Sequence, residues 1–412
     1  MKHKIRTAVK NLILAAINMF ESPWGSAIAS GIIYFLISSL SGSIFQQSLH
    51  PYYNYLADAF LHGQTWLRLT PPSIHDLSFL NGRYYLYWGL FPAILLMPFI
   101  AIFGVGLNDV FYTVIIAALN VGLVARLFRA ANNDGFIMLT KPQRAILVTF
   151  FAFGTVHVTL APFGKVWMTG QLIGFTCVLL SYLSSFNKNG GKAWFFTGLW
   201  LSGAFLTRTH MVFNGIFPII YLFSKYKNWE LRIVMRNLLL IFLPISLSIT
   251  GFLLYNYIRF DNPTDTGYMY QNMAEIFLSN FETFGAFNIK YLPINFYYQY
   301  ISYPFPVRPE TYMGGSLFLL SPLFLSAIIG LWKSRLLTLK LALFGSIMMT
   351  NIPILLLIGT GWVQFGPRYS LDFTVPLLLL TAMGINYVKP LIILLFTVIS
   401  VGHYIIGVKL LF

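Results

Sequence analysis

Asp58 lies in YYNYLADAFLHG and Asp76 follows His75 in PPSIHDLSF, while Arg208 sits in LTRTH and Arg368 precedes Tyr369 in FGPRYSLDF. A carboxylate in such a setting can take the proton of a hydroxyl as it attacks. A fixed arginine can hold negative charge as it develops on a departing group. Arg83, just after the turn residues Asn81-Gly82, is a third such cation, and His50 and His75 are imidazoles of the same stretch. His62 follows Asp58 by four residues, a spacing that puts both on one side of a helix. With no HxxxH or HExxH pattern in the chain, interfacial histidine is the plainer reading and no metal ligands are assigned.

The elements that must position these residues are apolar. Hydrophobic residues make up 57% of the 412 and charged residues 9%, against about 25% charged in an average globular domain. Apolar segments run at 24–45, 84–104, 110–127, 145–163, 166–186, 193–207, 211–224, 238–258, 314–332, 338–358, 371–388 and 390–408. Many of these runs have the length of about 20 residues that matches the ~30 Å hydrocarbon core of a bilayer. A soluble enzyme, a disordered scaffold and a secreted disulfide domain are excluded. The expected fold class is all-α, a polytopic helical membrane protein, with 1–412 as a single integral membrane domain. The single cysteine, Cys177, lies inside an apolar run, so neither an intrachain disulfide nor a cysteine-based metal cluster is expected.

Orientation follows from the excess of Lys and Arg in short cytoplasmic loops. The basic clusters are Lys2 to Lys10, Arg126 to Arg144, Lys188 with Lys192, Lys225 to Arg236, Lys333 to Lys340, and Lys389, accompanied only by Glu21, Asp134 and Glu230. Placing all of them on one side requires that one of 24–45, 84–104 and 110–127 fail to cross, and 84–104 is the best candidate. That segment opens with Tyr84-Tyr85-Leu86-Tyr87-Trp88 and contains Pro92 and Pro98, so it reads as re-entrant or interfacial. The expectation is about 11 transmembrane helices with the N-terminus cytoplasmic, in a plasma (inner) membrane. The net charge of +15 then records topology and implies no nucleic-acid partner. The basic N-terminus resembles a signal n-region, but the apolar stretch behind it is too long for a signal and reads as a retained first span.

Two long loops, 46–83 and 259–313, face outward in this topology, as does the short stretch 359–373. In the first, Tyr52, Tyr55, Leu56, Ala59 and Phe60 form a stripe at helical spacing, predicting a juxtamembrane helix over 52–61 with Asp58 turned toward water or a cleft. An amphipathic helix lying on the outer surface is the plainer alternative. Gly63 should end it, and Asn81-Gly82 should make a turn. The second loop carries Asp261, Asp265, Glu275, Glu282 and Glu310. In the third, Gly366-Pro367 should turn the chain and present Arg368 and Tyr369, with snorkelling to the interface as the plain reading of Arg368. Arg208, between two short spans, should sit below the surface and line a polar cavity.

These parts suit transfer of a sugar from a lipid phosphate to a hydroxyl. Outer-loop acids would take the acceptor proton, Arg208, Arg368 and Arg83 would hold charge on the phosphate, and the apolar spans would hold the lipid tail. The order of YYNYLADAFLHGQTWL (52–67) with HDLSFLNGRYYLYWGLFPAILLMP (75–98), then YNYIRFDNPTDTGYMYQ (255–271), then FGPRYSLDFTVPLLLL (365–380) resembles the GT-C superfamily of membrane glycosyltransferases. The resemblance implies a GT-C-like architecture and an extracytoplasmic active site. It also implies a polyprenyl-phosphate-linked sugar as donor and a lipid or cell-envelope glycan as acceptor. Members differ in whether they use a divalent metal, so none is assigned.

The chain departs from that family at one point. Better-known members carry an acid about eight residues before the residue equivalent to Ala57, where this sequence has Leu49 and His50. Either Asp58 or Asp76 has taken over as base, with Asp58 first, or His50 does the work, or transfer has been lost. A transporter or lipid flippase and a non-catalytic GT-C-like scaffold are the rival readings. Against a transporter, no internal repeat is visible in the chain.

Overall fold

The apolar segments fold into helices of two kinds, some long enough to span a bilayer and some interrupted. The computed structural model describes residues 2–187, 189–226, 231–308, 312–359 and 361–411. Lys188, Glu230 and Glu310 lie outside the described residues. The chain begins with α1 (Lys2–Glu21), α2 (Pro23–Leu40) and α3 (Tyr52–Leu61), then a hairpin of β1 (Ser78–Leu80) and β2 (Arg83–Tyr85). There follow α4 (Phe91–Phe103), α5 (Asp109–Asn133), α6 (Lys141–Phe153), α7 (His157–Leu160), α8 (Val166–Ser185), α9 (Gly190–Thr207), α10 (Ile216–Lys225) and α11 (Leu231–Phe260). The second long loop holds α12 (Glu275–Phe284), α13 (Leu292–Phe296) and β3 (Met313–Gly314). Then come α14 (Leu317–Leu320), α15 (Leu325–Lys333), α16 (Leu337–Leu356), β4 (Gln364–Phe365), α17 (Thr374–Ile385) and α18 (Pro390–Leu411).

Local chemistry sets several of these boundaries. Ser22 accepts from the Gly25 amide and Pro23 opens α2, which breaks the chain between α1 and α2. Asn108 caps α5 in the same way. Thr140 and Gln143 form a reciprocal capping box at the start of α6. Among the described residues, six helices (α2, α5, α8, α11, α16 and α18) are long and apolar enough to cross a membrane. The outward face of α11 bears Leu239, Leu247 and Leu254, each more than half exposed, while Asn237, Ile241 and Ile245 are buried. A face so apolar is satisfied by lipid and not by water. This is a helical membrane protein.

Other apolar segments are broken. The 145–163 run divides into α6 and α7, and 314–332 into α14, a 3-10 turn at Pro322–Phe324 and α15. The 211–224 and 371–388 runs each begin as 3-10 turns, Thr209–Gly215 and Arg368–Phe373. Every residue of α17 is buried, so its hydropathy reflects protein packing on all sides. Segment 84–104 opens as strand β2, and its helix, α4, has 13 residues with Pro98 inside. At 1.5 Å per residue that is about 20 Å, less than the ~30 Å of a hydrocarbon core.

The fold is not purely helical. β1 and β2 pair antiparallel with Phe79 opposite Tyr84, and the Asn81-Gly82 turn has positive φ at both residues, 50° and 75°. That is the pattern of a two-residue type I′ hairpin. β3 and β4 pair in parallel. The helix expected at 52–61 is α3, with Gly63 in the left-handed region just beyond its end. The surface-helix alternative is overturned, because Tyr52 through Ala59 are all buried. α3 packs with Leu67, Leu77, Leu86, Val166 and the α4 residues Ala93 and Leu96 into a core of its own.

The two long loops are tied together. The Asp76 amide donates to Asn272 O at 2.7 Å and the Asn272 amide donates to Leu77 O at 2.9 Å. The Ser78 hydroxyl donates to Gly267 O at 2.7 Å, and the Tyr52 hydroxyl to His75 O at 2.6 Å. Gly89 presses this unit against the end of α9: a Cβ there would lie 2.1 Å from Leu206 O and 2.5 Å from Thr207 O. Backbone oxygens cannot swing aside as a side chain can. Gly89→Ala is expected to lower the melting temperature of the purified protein and to cost about 1–3 kcal/mol by overpacking. A melting curve unchanged from wild type would refute this contact.

Candidate functional site

Both long loops, the start of α8, the end of α9 and the turn before α17 enclose one cavity of about 450 Å³. Of the residues singled out from the sequence, His50, His75, Asp76, Arg208, Arg368 and Tyr369 line it. Asp58 and Arg83 do not line it.

Asp76 adopts a left-handed backbone, φ 62°, which an aspartate tolerates better than most residues. Its carboxylate accepts from Gln271 Nε2 at 2.7 Å and from Trp167 Nε1 at 3.1 Å, one donor on each oxygen. His75 Nε2 is 3.6 Å away. The two donors are neutral, so no arginine or lysine among the described residues claims the charge, and each oxygen keeps capacity to accept a further proton.

Arg208 ends α9 and reaches Asp372 at 3.0 Å, where His210 Nε2 also meets the carboxylate at 2.8 Å and Gln171 donates at 2.9 Å. The Asp372 side chain is fully buried. The ring of Tyr369 lies beneath both guanidiniums, 4.6 Å from Arg208 and 4.9 Å from Arg368. Arg368 is only 7% exposed. It is buried beyond any snorkelling role, and among the described residues no carboxylate pairs with it; its Nε has no hydrogen-bond partner.

Lys165, just ahead of α8, is half-buried and lines the same cavity. Its amine makes no hydrogen bond or ion pair among the described residues. Burial, with the nearby Arg368 charge, pulls the Lys165 pKa below that of an ordinary lysine. Two desolvated like charges without a counterion are costly, and an anion placed between them would relieve that cost. Burial also raises the Tyr87 phenol well above its usual pKa, with Asp76 adding to the shift.

His50 is held from both sides. Asp109, buried at the start of α5, accepts from Ser48 N at 2.8 Å and Ser48 Oγ at 2.5 Å, and the His50 amide donates to that Oγ at 3.1 Å. The Val166 amide donates to His50 O at 3.1 Å. The ring packs on Trp167 at 4.8 Å, and Nδ1 is buried without a partner. Burial, assisted by Lys165 and His75, lowers its pKa to about 4. An imidazole this reluctant to take a proton is a weak base but a serviceable neutral contact.

The unfolded chain protonates this histidine below about pH 6.5 while the folded one resists until about 4. As pH falls through that window the wild type should therefore lose stability relative to His50→Gln, and above it the gap should be constant. Melting temperatures of both proteins across the window check this; parallel curves would contradict it.

The sequence ranks Asp58 first as base, turned toward water or a cleft. It faces Arg68 instead, accepting from Nε and Nη2 at 3.0 Å each, with His62 Nδ1 3.6 Å from its Oδ1. The physical reason is that α3 is covered on all faces, so its one carboxylate is turned to the only cation that the following loop supplies. Arg83 likewise leaves the site: its guanidinium lies 4.0 Å over the ring of Trp66. Sequence reasoning missed Asp372 as the partner of Arg208, since the two lie on distant segments of the chain. Nor does it single out Lys165, in APFGKVWMTGQ, as a site residue.

One side of the cavity wall is apolar. Phe252 of α11, Phe277 of α12, Phe287, Leu357, Ile358 and Trp362 line it, and Phe287 and Trp362 are exposed on the outside of the protein. One compartment thus joins fixed charges to an apolar exit. No protein-family model matches the chain, and no curated protein matches it.

Proposed function

We propose that this protein is a GT-C-like membrane glycosyltransferase that moves a sugar from a polyprenyl-phosphate donor to a hydroxyl of a lipid or cell-envelope glycan. The observation that supports it most is the pairing, within one cavity, of two cations that have no counterion among the described residues, Lys165 and Arg368, with the carboxylate of Asp76. The donor phosphate sits on Lys165, Arg368 and Arg208, and the isoprenoid tail leaves along Phe252, Phe277 and Trp362 toward lipid. Asp76 takes the proton of the acceptor hydroxyl as its oxygen bonds to the anomeric carbon. The carbon–oxygen bond to phosphate breaks, its electron pair departs with the lipid phosphate, and the cations hold that charge. His50 and His75 border the acceptor as neutral contacts, with Tyr369 aligning the two guanidiniums.

This reading goes with about 11 crossings and a cytoplasmic N-terminus, which leave the cavity on the outer face of a plasma membrane. The short helices α10, α15 and α17 then cross only together with the turns that precede them. The test is to incubate the protein in lipid with a panel of radiolabelled polyprenyl-phosphate sugars and to score release of free lipid phosphate. Turnover of at least one donor is expected; a folded protein that turns over none refutes the reading.

A further inference from the structure

The cavity holds a second proton-transfer group that the transfer step above does not use. His210, on the 3-10 turn Thr209–Gly215, lines the cavity with its side chain 16% exposed. Its Nε2 is 2.8 Å from Asp372 Oδ2, and Arg208 Nε reaches the same oxygen at 3.0 Å. Gln171 donates to the other oxygen, and Asn214 donates to the Asp372 carbonyl at 3.0 Å. An ionised carboxylate only accepts hydrogen bonds, so His210 must present Nε2–H to it. That fixes the ring as in an aspartate-oriented histidine and leaves Nδ1 as the one nitrogen able to meet a ligand. Nδ1 makes no hydrogen bond among the described residues.

We infer that His210, oriented by Asp372 beside Arg208, is the proton donor to the departing lipid phosphate. The inference rests on the lipid-phosphate reading of the cavity and deepens it. As the bond from the anomeric carbon to the phosphate oxygen breaks, its electron pair stays on that oxygen. The proton on Nδ1 of the imidazolium passes to a phosphate oxygen while Nε2–H stays on Asp372. One proton leaves the acceptor hydroxyl to Asp76 and one reaches the phosphate from His210, so the two groups exchange a proton with water to restore the site. Histidine is the side chain suited to this, since its ring can hold a proton on each nitrogen and give up one of them. The titratable groups near it are Arg208 on α9, Arg368, Tyr369 and Asp372 on the turn before α17, Lys165 ahead of α8, Tyr268 of the second long loop, and Tyr53 on α3, whose phenol feels the Arg208 charge. α8 and α16 present Gln171 and Ser346 at this turn, which do not titrate.

The test uses the full chain in lipid nanodiscs and farnesyl phosphate as probe, with binding followed by calorimetry between about pH 5.5 and 8.5. The second ionisation of the phosphate acts equally on every protein compared. Wild-type affinity is expected to fall about tenfold more over this range than that of His210→Gln, while His210→Lys, with a fixed charge, stays tight throughout. With a donor that the wild type turns over, His210→Gln should lower kcat about 100-fold or more and abolish the alkaline limb of its pH profile. Parallel binding curves and an unchanged alkaline limb would overturn the role of His210 and leave the lipid-phosphate reading standing. No binding of farnesyl phosphate at any pH by a protein with a normal melting curve would overturn both.

Discussion

Asp76→Asn is expected to lower kcat by about 100- to 10,000-fold, with the KM for the donor changed only a few-fold and the melting temperature preserved. The amide keeps the shape of the carboxylate and can still accept at its oxygen, so the contact with Gln271 or Trp167 survives. What it cannot do is take a proton at the rate a carboxylate does. Donor binding rests on the cations and the apolar exit, and neither is touched. Asp58→Asn is the contrast. It weakens the bidentate pair with Arg68, whose guanidinium is 38% exposed on its side chain and can turn to water. It should lower the melting temperature slightly and leave kcat near wild type. Steady-state kinetics on both variants decide the point. Loss of turnover in Asp58→Asn with turnover intact in Asp76→Asn would return the base to α3.

Removing a cation from the cavity should make the protein more stable and less active at once. Arg368→Gln is expected to lower kcat/KM for the donor by about 100- to 1,000-fold, the usual cost of losing one preorganised contact to developing negative charge. Lys165→Gln should act in the same direction. Both substitutions relieve the repulsion between two desolvated positive groups that have no counterion among the described residues, so the melting temperature of the ligand-free protein should rise in each. Opposed changes in stability and activity are the mark of a site strained in the absence of its ligand. If these cations were ordinary structural charges, removing them would lower stability or leave it alone. Arg368→Lys should not restore activity in full, because a lysine cannot present the planar fork or stack on Tyr369. Thermal melts and kinetics on the same preparations test the two halves of the expectation together.

Much of the local structure was legible because it is local. The helical spacing of Tyr52, Tyr55, Leu56 and Ala59 gave α3 to the residue, and Asn81-Gly82 declared a turn because both positions need a positive φ. Arg208 was legible as a sub-surface charge because the spans beside it are short. What stayed hidden depends on contacts between distant segments. Hydropathy cannot separate α17, apolar because protein surrounds it, from α18, apolar because it faces lipid. Nor does it register the turns that divide 145–163 or 314–332, since the residues on either side are equally apolar. The choice between Asp58 and Asp76 needed the partner of each: Arg68 is ten residues from Asp58, but Gln271 reaches Asp76 from the second long loop and Trp167 from the start of α8. Asp372 looked like one more residue of SLDF until Arg208 and His210 closed on it.

The most direct test of the account is an experimental structure of the protein in a lipid nanodisc with a bound polyprenyl phosphate. The predicted result is phosphate density in contact with Lys165 and Arg368, with the isoprenoid running along Phe252 and Phe277 and Asp76 open on the side of the sugar. Phosphate density outside this cavity, or an empty cavity at saturating ligand, would contradict it.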